Sequence, residues 1–141
     1  MANALWPTGQ QEEEVFGKTI IIVEDDPSNT EMLHLLLQFA DRSYQVTSFR
    51  SGKEALANVD LITSLHPVLF VLDYKLPSMT ALDLYERLRA MEGLGNVPTI
   101  ILSGSQMSDT EKERMGHLGL LFIPKPYDID NLLAAIERVI P

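Results

Sequence analysis

The sequence contains no cysteine. That single absence excludes a disulfide framework, a thiolate metal centre and a cysteine nucleophile, and leaves the chemistry to oxygen and nitrogen groups. Positive charge is also scarce: 11 Lys and Arg stand against 20 Asp and Glu, a formal net charge of −9. Such a balance opposes direct binding to nucleic acid or anionic membranes and favours proteins and cations as partners. No apolar run approaches the roughly 20 residues of a membrane span. The first seventeen residues hold neither Lys nor Arg and no sustained apolar core, unlike a secretory or organelle-targeting leader. A soluble cytoplasmic protein is the expectation.

A chain of 141 residues fits one domain, large enough to bury roughly two thirds of its unfolded surface. Residues 1–17 combine Pro7, Gly9 and the acidic triplet Glu12 to Glu14 with a few apolar residues, Leu5, Trp6, Val15 and Phe16. They are expected to form a flexible extension without chemistry, preceding a domain over 18–141.

Five short apolar segments then alternate with helical patterns. Thr19 to Val23, Tyr44 to Phe49, Val68 to Leu72, Thr99 to Leu102 and Leu120 to Ile123 read as strands. Helices are expected from the Asp26-Pro27 cap, with Met32, Leu33, Leu36, Leu37 and Phe39 as core, and from the Ser51/Glu54 capping box as far as Leu65. A third starts at Thr80 with Asp83, a fourth covers Ser108 to His117, and a fifth follows Asp130. The fourth carries few apolar residues and is the candidate moving part. The alternation predicts an α/β fold: one doubly wound, five-stranded parallel sheet with five helices over its two faces. Right-handed crossovers place all carboxyl-terminal strand ends on one rim.

That rim is where the chemistry gathers. Glu24, Asp25 and Asp26 follow the first strand, Asp73 ends the third, Ser103 the fourth, and Lys125 follows the fifth. Clustered carboxylates raise one another's pKa values, so the group makes sense around a cation. All-oxygen donors favour Mg²⁺, with Mn²⁺ or Ca²⁺ behind it. With Lys125 and the Ser103 hydroxyl gripping phosphoryl oxygens, Asp73 is left as a nucleophile toward phosphorus. Asp26 is better placed as a helix cap than as a ligand.

VEDDP after the first strand, LDYKLPSM around Asp73, SG after the fourth strand and PKPY after the fifth together resemble the receiver domain of two-component response regulators. The likeness spans residues 18 to 140. It implies the flavodoxin-like strand order 2-1-3-4-5 and a cis peptide between Lys125 and Pro126. It further implies that Glu24, Asp25 and Asp73 bind metal together with the backbone carbonyl of Lys75. Asp73 is the implied phosphoacceptor, Ser103 the switch hydroxyl and Lys125 the phosphate-binding lysine. Phe122 is either the switch aromatic or a core residue. Lys75 and Ser105 flank the attacking water and set the phosphoryl lifetime, unless Lys75 is simply a solvated lysine. Thr80, Ala81 and Leu82 occupy the region where the family places a glycine, so a tighter or displaced turn is expected there.

A phosphorylation-dependent switch leads the functional readings. In it, a sensor histidine kinase or a histidine phosphotransfer protein phosphorylates Asp73. The fourth helix, the fifth strand and the fifth helix then present a changed surface to a downstream protein or a second copy. The protein would not be an enzyme with turnover, but an acceptor that assists its own phosphorylation and dephosphorylation. No DNA-binding element follows before Pro141, so output through protein contact is expected. Two alternatives use similar groups. A phosphohydrolase of the haloacid dehalogenase type needs a second acid at the position of Lys75, and a flavodoxin-like cofactor binder needs a phosphate loop where Glu24 to Asp26 stand.

Overall fold

Ile20, Ile21, Ile22 and Val23 are all buried, and so are Leu69, Phe70, Val71 and Leu72. An apolar run with no exposed face needs cover on both sides, which only a central strand of a two-sided sheet provides. In the computed structural model, which describes residues 17–104 and 107–140, these runs are the central strands β1 (Lys18–Val23) and β3 (Leu69–Asp73). Strands β2 (Tyr44–Phe49), β4 (Thr99–Ser103) and β5 (Leu121–Pro124) complete a parallel sheet in the spatial order β2-β1-β3-β4-β5. The expected order holds. The extension expected over 1–17 lies outside the described residues except for Gly17, and Ser105 lies outside them as well.

Among the described residues six helices cover the sheet, one more than expected: α1 (Pro27–Ala40), α2 (Gly52–Ala57), α3 (Val59–Ser64), α4 (Ala81–Arg89), α5 (Asp109–Leu118) and α6 (Ile129–Val139). The extra one arises where a single helix was predicted from Ser51 to Leu65. Asn58 interrupts it with φ −113° and ψ 25°. Its side-chain amide donates to the Glu54 carbonyl at 2.8 Å, and its N–H to carbonyls of the preceding turn. Asparagine competes in this way with the helical ladder.

Local capping places the other helix starts. The Asp26 carboxylate accepts the Ser28 N–H at 2.9 Å, with Pro27 opening α1. Reciprocal capping boxes start α4 (Thr80 with Asp83) and α5 (Ser108 with Glu111). Gly119 ends α5 at φ +70°, a left-handed position that favours glycine. Between β3 and α4 the chain makes a two-residue ribbon, Lys75–Leu76 against Met79–Thr80, with Ser78 at φ +69°. The turn thus falls ahead of Thr80, Ala81 and Leu82, which form the end of the ribbon and the start of α4.

Two cores result, one per sheet face. Ile21, Val23, Phe70, Leu72 and Ile101 pack with α2 to α5, while Ile20, Ile22, Leu69, Val71, Ile100 and Leu102 pack with α1 and α6. The face of α1 needs correction. Leu33 and Leu37 are buried, whereas Met32 is 40% exposed, Leu35 64% and Phe39 90%. At i, i+3 and i+7, these three share a side of the helix turned away from the sheet. The same distinction sets their energetics. Leu37→Ala should lower stability by about 2–5 kcal/mol, and Phe39→Ser should change it by less than about 0.5 kcal/mol, both read from urea denaturation.

Candidate functional site: a carboxylate and lysine rim

The strand ends position the site through backbone bonds. The Glu24 N–H donates to the Phe49 carbonyl at 3.0 Å, extending β1 by one residue alongside β2. Asp73 is the last residue of β3, in register with Leu102, and the Tyr74 N–H donates to the Leu102 carbonyl at 2.7 Å. The Lys125 N–H donates to the Ser103 carbonyl at 2.6 Å, just before the cis Lys125–Pro126 peptide. Three loops thus bring their side chains to one rim.

The Lys125 ammonium lies 2.8 Å from Asp73 Oδ1 and 3.2 Å from Glu24 Oε1. Glu24, Asp25 and Asp73 each present a carboxylate oxygen within 4.8 Å of the others. Glu24, Asp73 and Ser103 are buried, Asp25 is exposed, and Lys125 is half-buried. Three carboxylates and one ammonium leave the rim two negative charges in excess, which matches one divalent cation. The donor set is all oxygen, so the residues present suit a hard ion.

The electrostatics point the same way. Burial of Glu24, with the Asp73 carboxylate beside it, raises its pKa above the ordinary 4.5, although the Asp26 N–H and Lys125 oppose the rise. A carboxyl with a raised folded-state value favours folding when protonated. That contribution is present below about pH 4.5 and is lost as pH rises through the folded value. The site therefore disfavours the charged form of Glu24, a burden that a cation relieves. Burial works against the charge of Lys125, yet hydrogen bonding to Asp73 and the charges of Asp73 and Glu24 outweigh it, and its pKa is raised. The lysine is a fixed cation across the physiological range.

Glu24, Asp25, Asp73 and Lys125 come together as expected, with Ser103 buried at the neighbouring strand end. Asp26 caps α1 through its carboxylate, and its N–H also holds Glu24 Oε2 at 3.2 Å. Lys75 is exposed in the ribbon beyond Asp73. Phe122 sits in β5, half-buried against the core on the α2–α5 side. One residue escaped sequence reasoning: the Asn29 amide reaches Glu24 Oε1 at 3.5 Å. Its only signal was an amide one turn beyond the acids.

The model of the family described as the response regulator receiver domain matches residues 20–137. The chain is 31% identical over 121 residues to the polar-differentiation response regulator DivK of Brucella ovis, covering 85% of this chain and 94% of that one. It is 27% identical over 127 residues to sporulation initiation phosphotransferase F of Bacillus subtilis, covering 90% and 97%. Among solved structures, the non-phosphorylated HemR receiver domain of Leptospira biflexa is similar at a TM-score of 0.73 and 32% identity, covering 86% and 93%. The chemotaxis protein CheY4 of Vibrio cholerae, at 24% identity, shares the fold with a TM-score of 0.75 over 88% and 99%. With the family model matched from β1 into α6 and a charged rim at the strand ends, the chain belongs to the response regulator receiver domain family.

Proposed function

We propose that this receiver domain is a phosphorylation switch in which Asp73 takes a phosphoryl group from the phosphohistidine of a sensor kinase or phosphotransfer protein. One observation carries the reading: Asp73 shares a hydrogen-bonded ammonium and a three-carboxylate cluster at one rim of the sheet. Glu24, Asp25, Asp73 and the carbonyl of Lys75 would hold Mg²⁺, which when bound supplies positive charge opposite the phosphoryl oxygens.

An Asp73 carboxylate oxygen attacks phosphorus as the phosphorus–nitrogen bond of the donor breaks, and the departing imidazole takes up a proton. The product is an acyl phosphate. Lys125, already held as a cation at Asp73 Oδ1, transfers its hydrogen bond to a phosphoryl oxygen, and the Ser103 hydroxyl moves toward another. Only Met115 of α5 is buried, so this helix, with β5 and α6, is the surface that responds. Phe122 follows Ser103 as the switch aromatic. Lys75 shields the phosphoryl group, and Ser105 flanks the attacking water. The chain acts once per phosphoryl group rather than as a turnover enzyme, in the cytoplasm, with a protein or a second copy as its output partner. No helix among the described residues is long and apolar enough to cross a membrane.

A dehalogenase-type phosphohydrolase fits less well, because Lys75 stands where its second acid belongs. Cofactor binding fits poorly because Glu24 and Asp25 would repel a phosphate.

Incubation with Mg²⁺ and a small acyl phosphate should add one phosphoryl group by mass, and Asp73→Asn should abolish it; catalytic turnover of the donor would instead support the hydrolase. In Lys75→Ala the label should decay up to about tenfold faster, a barrier change of about 1.4 kcal/mol, and unchanged decay removes Lys75 from this role. Glu24→Gln should raise metal-free stability, because a neutral amide escapes both the cost of burying the charge and the repulsion from Asp73. It should also remove most of the stabilisation that Mg²⁺ gives the parent, as read by thermal melting.

A further inference from the structure

Tyr74 follows Asp73 directly and is only 5% exposed. Both its backbone groups are satisfied: its N–H donates to the Leu102 carbonyl at 2.7 Å, and its carbonyl accepts the Ala81 N–H at 2.9 Å. Its phenol is not. Among the described residues, the Tyr74 hydroxyl is the buried side-chain polar atom that has no hydrogen-bond partner. An unsatisfied buried hydroxyl is a free-energy liability, and a native structure that keeps one calls for a reason.

The surroundings supply a reason. Tyr74 belongs to the core on the α2–α5 side, together with Met107 and Met115. Its backbone is pinned between β4 and the start of α4, so the ring has little freedom to seek a partner. Met107 and Met115 belong to the approach to α5 and to α5 itself, whose other residues are exposed or half-buried. Of the two longer helices that share this core with the ring, α4 buries four residues and α5 only Met115, so α5 is the one better able to bring a partner to it.

We infer that the Tyr74 hydroxyl biases the switch: it is unsatisfied in the unphosphorylated form and gains a hydrogen-bond partner when α5 and its approach rearrange. The inference rests on the proposed phosphorylation of Asp73 and adds to it a side chain that stores a preference for the activated arrangement. Tyr74 touches neither the phosphoryl group nor the cation and acts through the equilibrium alone. Removing the hydroxyl should favour the resting state, since phenylalanine has nothing to satisfy in either form.

The test is thermal melting of the parent and Tyr74→Phe, each metal-free and with Mg²⁺ plus beryllofluoride as a phosphoryl mimic, with amide hydrogen exchange across α5 in all four samples. Tyr74→Phe should melt about 3 °C higher when metal-free, gain less from the mimic than the parent does, and show a smaller mimic-induced change in exchange at α5. Equal gains in both proteins would overturn the coupling. A lower metal-free melting point for Tyr74→Phe would show that the phenol already has a partner, a buried water included, and would overturn the inference at its root. Failure of the underlying reading looks different: the parent gains nothing from the mimic and Asp73 takes no label, while the metal-free comparison still reports whether the phenol is satisfied.

Discussion

The contact between the Lys125 ammonium and the carboxylates of Asp73 and Glu24 is the constraint on which the rest of this structure turns. It brings together charges from three strand ends in a half-buried place, where they are screened less than on an open surface. Two of the acids are buried, so the arrangement is tolerable only with a cation among them. Lysine supplies part of that charge at all times, and the deficit that remains is the opening for a metal. The site is thus held in an unbalanced state by a sheet stable enough to bear it, with Ile20 to Val23 and Leu69 to Leu72 buried beneath.

Much of this was legible in the sequence, because the signals were short-range and redundant. Continuous apolar runs such as Ile20–Val23 identify central strands, and the residue after each run lands on the rim whatever the rest of the chain does. Asp26, which caps α1 at the Ser28 N–H, and Thr80 with Asp83 find their partners within three residues, so they too could be read directly. Strand order is different. It came from family resemblance, since spacing alone does not say which strands are neighbours.

What escaped depends on three-dimensional packing. Met32 and Phe39 share the hydrophobicity of Leu33 and Leu37, and a one-dimensional pattern does not tell which apolar side of α1 meets the sheet. Asn58 reads as an ordinary helical residue until its side chain is seen taking the Glu54 carbonyl. Asn29 and Tyr74 were silent for the same reason. One matters through a contact five residues back, the other through a bond it does not make.

The carbonyls that receive the Tyr74 and Lys125 amides belong to consecutive residues, Leu102 and Ser103, at the end of β4. This strand is the seam joining the acceptor's loop to the lysine's loop, and the seam is made of main chain. Drift in side chains along β4 can therefore leave the spacing of nucleophile and ammonium intact. A proline replacing Tyr74, by deleting one of these amides, would unpick the site while leaving every charged group in the sequence untouched.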